Sequence, residues 1–333
     1  SNLKKINSPL QLVEIPRPIP KTGELLLKIK TCAVCHTEID EIEGRTPPSK
    51  YPVIPGHQVI GYIEETWGTR TDLRVGDRVG VAWIYSACGK CEFCESGFEN
   101  LCSDFSATGR DAHGGYAEFM TINENFVYKI PSIFTDTQAA PLLCAGAIGY
   151  RSLDLCNLSN GNTIGLTGFG ASAHLVLKLV KYLFPSSEVY VFARNKKERE
   201  FALELGAKWT GDTTERPPVL LNAIIDTTPV WKPVLYALEC LKPGGRLVIN
   251  AIRKESVDQD ILVELEYSRH LWMEKEIKSV ANVTRKDVEA FIKIAGNIPI
   301  KPLVEEYRFV DANQAIMDIK NRKIKGAKVL VID

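Results

Sequence analysis

Cys88, Cys91, Cys94 and Cys102 follow a Cys-x2-Cys-x2-Cys-x7-Cys pattern, and nothing else in the chain restricts its folding as much. Four thiols confined to fifteen residues fall in a turn-rich stretch. In a reducing compartment such a cluster points to metal ligation before disulfides. Two-residue spacers let loop-borne thiolates reach one ion without backbone strain. Four thiolates complete a tetrahedral Zn²⁺ shell and leave no position for water, so this site is expected to be structural. An iron–sulfur cluster is the chemical rival.

Composition narrows the function classes. At 333 residues the prior is two domains. Lys plus Arg equals Asp plus Glu at 41 each, so there is no overall charge to attract nucleic acid or an anionic membrane. Neither is expected as a partner. No apolar run approaches the ~18 residues needed to span a bilayer. The first twenty residues contain Pro9, Pro16, Pro18 and Pro20 and no signal-type apolar block. The expected location is the cytoplasm.

The texture changes along the chain. Glu24 to Lys30, Val53 to Ile63 and Arg74 to Ala82 read as strands, punctuated by Pro55, Gly56, Gly61, Gly76 and Gly80. From about residue 145 short strands alternate with helices. Strands are expected at Thr163–Leu166, Val189–Phe192, Asn222–Asp226, Arg246–Ile249 and Ile277–Val280, and helices at Ala171–Leu183, Lys196–Leu205 and Lys232–Leu241. Gly206 reads as a helix stop and Pro243-Gly244-Gly245 as a turn. This alternation signals βαβ units and a parallel sheet. The last fifty residues, with a helix at Val310–Lys320 and a strand at Lys328–Ile332, are too few for a domain and should pack back on the N-terminal part.

Two further constellations carry chemistry. Cys35-His36-Thr37-Glu38, Gly56-His57-Gln58 and Leu143-Cys144 together offer one imidazole and two thiolates. Cys₂His is a recognised catalytic zinc set that keeps one open position, where an oxygen ligand is polarised. The segment Gly168-Phe169-Gly170-Ala171-Ser172-Ala173 sits between an expected strand and an expected helix. Glycines there let the backbone approach a pyrophosphate, and the helix N-terminus offers free N–H groups. An NAD site wants a carboxylate about 20 residues further on. Ala193 stands there, followed by Arg194 and Asn195. An arginine can pair a 2′-phosphate, which favours NADP(H) over NAD(H). Cys32, Cys156 and Cys240 are left over for packing.

The stretches GELLLKIKTCAVCHTEID, YPVIPGHQVIG, VGDRVGV, CGKCEFCESGFENLC, HGGYAEF and PLLCAGAIGY occur in the order and at the spacings of the zinc-containing medium-chain alcohol dehydrogenases, and the chain resembles that family over essentially its whole length. The resemblance implies an α/β protein: a mostly-β GroES-like catalytic domain at 1–144 and 284–333, and a doubly wound Rossmann domain at 145–283. It implies two zinc ions per chain, a catalytic one on Cys35, His57 and Cys144 and a structural one on Cys88, Cys91, Cys94 and Cys102. It further implies reversible hydride transfer between a primary or secondary alcohol and a nicotinamide cofactor, in a homodimer or homotetramer. Thr37 would take the substrate proton, His36 would lie near the cofactor pyrophosphate, and Trp83 would wall the substrate pocket. The alternatives are a polyol or other zinc-dependent dehydrogenase of the same superfamily, and a non-enzymatic NADPH-binding structural or sensor protein. Three positions depart from the family pattern: Gln58 replaces an acidic residue after the zinc histidine, Glu38 replaces an aspartate, and Asp40 replaces the relay histidine. Gln58 is therefore expected to leave fewer carboxylates beside the zinc, and Asp40 to stand in the proton path.

Overall fold

The computed structural model describes residues 3–298, 300–321 and 326–332. They divide into two compact units, one of Ser1–Ala147 with Val283–Asp333, the other Ile148–Asn282.

The first unit is organised around β1 (Glu24–Val34), whose Leu25, Leu26, Leu27 and Ile29 are at most 1% exposed. β1 pairs antiparallel along its length with β2 (Val59–Thr66), which in turn pairs with β3 (Arg78–Val81). The first half of β1 also pairs with Phe119–Asn123 and its end with Ala327–Val331, so the C-terminal strand completes the sheet begun near the N-terminus. Val127–Lys129 beside β3 and Val304–Arg308 beside Ala327–Val331 bring this sheet to seven strands. The strand expected over Val53–Ile63 is interrupted. Val53 makes only an isolated bridge to Leu3, and regular pairing resumes at Val59. Pro55 lacks an N–H, and Gly56 turns the chain at φ +98°. A Cβ on Gly56 would lie 2.5 Å from the Tyr116 ring and 2.8 Å from Cys32 Sγ. This break presents His57.

The second unit is an all-parallel six-stranded sheet. Its order is Trp209–Gly211, Glu188–Phe192, Thr163–Thr167, Leu221–Asp226, Leu241–Ile249, Glu276–Ser279. Numbered along the chain that is 3-2-1-4-5-6, the doubly wound order of dinucleotide-binding sheets. The central strands are apolar on both faces, as buried parallel strands are: Ile164, Leu166, Val189, Val191, Ile224, Ile225, Leu247 and Val248 are all fully buried. Gly206, at φ +94°, follows the helix Lys196–Glu204 as its stop. Pro243-Gly244-Gly245 is not a separate turn before the strand, as expected; it lies within Leu241–Ile249. Gly244 takes φ +68° and the pairing with the neighbouring strand shifts register there, so the glycines are absorbed as an irregularity.

Candidate metal centres and dinucleotide turn

β1 ends one residue before Cys35, which is the N-cap of α1 (His36–Ile42). Cys35 Sγ accepts the Thr37 N–H at 3.4 Å, and the Glu38 carboxylate accepts the Cys35 N–H at 2.8 Å. This reciprocal cap fixes the thiol at the sheet's end. His57, 1% exposed, faces it with Nε2 3.7 Å from Cys35 Sγ. Cys144 closes the set from the end of the 3-10 helix Ala140–Leu143, and the three donor atoms all lie within 4.8 Å of one another.

This donor set fits a tetrahedral zinc ion. Zinc–sulfur and zinc–nitrogen bonds of ~2.3 and ~2.05 Å give tetrahedral edges of about 3.8 Å between sulfurs and about 3.6 Å from sulfur to nitrogen. The 3.7 Å Cys35–His57 separation is such an edge. The Cys144 thiol, burial and the Glu38 charge together push the Cys35 thiol up well above its ordinary range, a burden that a divalent cation relieves. His57 Nδ1 lies 2.8 Å from Glu38 Oε1, with both side chains essentially inaccessible. A carboxylate on Nδ1 holds the proton there and leaves Nε2 free as a ligand atom.

The second group, Cys88, Cys91, Cys94 and Cys102, also has all four sulfurs within 4.8 Å, and Cys88 Sγ to Cys94 Sγ is 3.9 Å, again a zinc–thiolate edge. The Lys90 N–H draws the Cys88 thiol down to about 7. The lobe is anchored by buried Glu99, whose carboxylate accepts the Arg285 N–H at 2.7 Å and its Nε–H at 3.1 Å. Cys32, Cys156 and Cys240 are buried.

In the parallel-sheet unit, strand Thr163–Thr167 leads into Gly168 at φ +80°, where a Cβ would stand 2.7 Å from Thr227 Oγ1. Gly170 is the N-cap of the helix Ala171–Leu183, carries no side-chain cap, and has open space where a Cβ would be. Phe169 is buried and packs edge-on to Phe201 at 6.0 Å. At the end of the next strand Ala193 is buried, its N–H donating to Gly211 O, and Arg194 is exposed. Asn195 caps the helix Lys196–Glu204 by accepting the Lys197 N–H at 2.9 Å.

Residues 21–132 match the alcohol dehydrogenase GroES-like domain. The chain is 41% identical over 331 residues to a probable alcohol dehydrogenase, AdhA, of Mycobacterium tuberculosis, covering 97% of this chain and 93% of that one. It is 31% identical over 340 residues to an alcohol dehydrogenase of Geobacillus stearothermophilus, covering 99% and 98%. The chain belongs to the zinc-containing medium-chain alcohol dehydrogenase family. A solved cinnamyl alcohol dehydrogenase of Sorghum bicolor superimposes with a TM-score of 0.82 at 25% identity, over 95% of this chain and 92% of that one. As an alcohol dehydrogenase, the chain is an oxidoreductase with a GroES-like domain and a Rossmann domain.

Within this alcohol dehydrogenase the remaining expected residues take definite places. Trp83 is buried and sets its ring edge-on to His57, centroids 5.0 Å apart and planes at 86°. Thr37 is half-buried two residues from Cys35, and His36 is exposed. Asp40, expected in the proton path, is buried on α1. Its Oδ1 lies 2.5 Å from Arg45 Nε, so the carboxylate is held by a guanidinium that ties the end of α1 to the following turn. Two carboxylates of α1 are nevertheless buried in this region. Glu38 and Glu41 are both at most 1% exposed, Glu38 in contact with His57. In the sequence Glu38 reads as a departure from the family pattern, and Glu41 carries no motif. A capping-box pattern starting at a metal-ligating cysteine was the available signal for the first.

Proposed function

We propose that this chain is a zinc-dependent alcohol dehydrogenase and aldehyde reductase using NADP(H), with small primary or secondary alcohols and the corresponding carbonyl compounds as substrates. The observation that carries the reading is the Cys35–His57–Cys144 set, three donors for an ion that takes four, with His57 oriented by Glu38. A zinc ion bound there supplies Lewis acidity toward a substrate oxygen. Cys88, Cys91, Cys94 and Cys102 would hold a second zinc, coordinatively closed and therefore structural.

The residues divide the remaining work. Thr37, two positions from Cys35, is assigned to hold and pass the hydroxyl proton. Trp83 presents an indole beside His57 and restricts the pocket to modest substrates. Glu38 keeps the imidazole in the ligand tautomer. In the other unit, the turn Gly168–Phe169–Gly170 with Ala171 and Ser172 is assigned to the pyrophosphate, aided by His36, and Ala193 with Arg194 and Asn195 to a 2′-phosphorylated ribose. The exposed edge strand Glu276–Ser279 supports assembly into a homodimer or homotetramer, since unpaired strand edges are templates for pairing. Nine free cysteines suit a reducing cytoplasm, and among the described residues no helix is long and apolar enough to cross a membrane.

The test is turnover on a panel of alcohols and aldehydes with NADP(H) and NAD(H), zinc-loaded and chelated, alongside Thr37→Ala. Zinc-dependent turnover that Thr37→Ala reduces by about 10²-fold or more supports the reading. Turnover that survives chelation, or a Thr37→Ala variant of parental rate at all pH values, refutes it.

A further inference from the structure

We propose that the carboxyl group of Glu41 is the proton reservoir of the reaction, delivering a proton through Thr37 to the substrate oxygen during carbonyl reduction and receiving it back during alcohol oxidation. The proposal rests on the oxidoreductase reading above. Glu41 stands four residues after Thr37 and three after Glu38 on α1, and side chains at those spacings are neighbours on a helix. It is 1% exposed, and neither carboxyl oxygen has a hydrogen-bond partner among the described residues. An ionised carboxylate buried without partners is costly, so such a group rests protonated and becomes a donor.

The groups around it agree with that state. Burial first, then the negative charge of Glu38 on the same helix, push its carboxyl well above the ordinary range. His57 and Arg110 pull the other way, and Asp111 adds to the upward push. Arg110 is already paired with Asp111 at 2.7 Å and lies 5.5 Å over the Trp83 ring, whose edge meets His57. Glu41 is therefore coupled electrostatically to Glu38 and to the metal-donor His57. Asp40, its neighbour at the expected relay position, is held by Arg45.

In reduction, the substrate oxygen gains an electron pair when the carbonyl carbon accepts a hydride from the reduced nicotinamide dinucleotide. The Glu41 O–H bond breaks, the Thr37 hydroxyl takes that proton and passes its own to the substrate oxygen, and the electron pair stays on Glu41 as carboxylate. Solvent then returns the proton.

The full-length, zinc-loaded protein is compared with Glu41→Gln, Glu41→Asp and Asp40→Asn. Glu41→Gln is expected to lower kcat for aldehyde reduction by about 10²-fold with KM little changed, and to remove one limb of the pH–rate profile. Glu41→Asp restores part of the rate and the limb. Asp40→Asn leaves the limb in place. Independently of turnover, infrared difference spectra of the substrate-free protein should show a protonated-carboxyl band that Glu41→Gln removes and Asp40→Asn retains. Parental turnover with an unchanged Glu41→Gln pH profile, or a band that survives Glu41→Gln, overturns the proposal alone. A parental protein with no turnover on any alcohol or aldehyde overturns the oxidoreductase reading on which it stands.

Discussion

Replacing Glu38 with glutamine should weaken one metal site by about 10- to 100-fold and leave the other untouched. Both oxygens of the buried carboxylate face donors: Oε2 accepts the Cys35 N–H at 2.8 Å, and Oε1 lies 2.8 Å from His57 Nδ1. His57 must carry its proton on Nδ1 if Nε2 is to bind a metal. Glutamine has the same shape but one oxygen and one NH₂ group, so one of the two donors is left facing another donor. A hydrogen bond to a charged acceptor contributes about 1.5 to 3 kcal/mol. At about 1.4 kcal/mol per decade, losing one gives roughly one to two orders of magnitude in affinity, the range usual for residues that orient metal ligands. The assay is zinc competition against a chromophoric chelator. The Cys88–Cys91–Cys94–Cys102 site, which Glu38 does not touch, serves as the internal reference. A variant that retains both ions at parental affinity would show that the Glu38–His57 contact does not prepare the ligand and would refute the argument.

Three further outcomes follow from the same geometry. Cys91→Ser should lower the melting temperature and the metal content together, because it opens a closed site, whereas Cys144→Ser should abolish turnover with much of the fold retained; equal thermal losses in the two variants would contradict the division of roles. Arg194→Ala should weaken NADPH binding about ten- to a hundredfold and hardly change NADH binding, and Ala193→Asp should move preference toward NAD(H); a parental kcat/KM clearly higher with NADH than with NADPH contradicts the assignment. Burial opposes the ionisation of Glu124, yet the Thr69 and Arg70 N–H groups, each donating at 2.8 Å, hold its carboxyl below the ordinary range. The stabilisation is present above the unfolded carboxyl range near 4.3 and is lost as pH falls through the lower folded value, so Glu124→Gln should flatten the acid side of the melting-temperature profile.

The chain's own pattern determined a good deal. Ligand spacing is local chemistry: thiols two residues apart in a turn reach one ion however the rest folds, so Cys88, Cys91, Cys94 and Cys102 were legible without coordinates. Alternating apolar strands and helices determined the parallel sheet, because strands buried on both faces need unbroken apolar runs. Gly168 and Gly206 were legible as turn and stop, since positive φ is nearly reserved for glycine. The tertiary structure alone decided what charged side chains do. Asp40 and Glu41 are adjacent in sequence and both buried, yet Arg45 holds one while the other has no hydrogen-bond partner among the described residues. Glu38, an apparent departure in the sequence, proves to be the partner of a histidine nineteen positions away. A carboxylate's role depends on which donors the fold brings within about 3 Å, and that distance is set by the break at Pro55-Gly56 that swings His57 toward the end of β1. Spacing along the chain holds no information on such encounters, because the chain path that creates them is fixed by packing elsewhere.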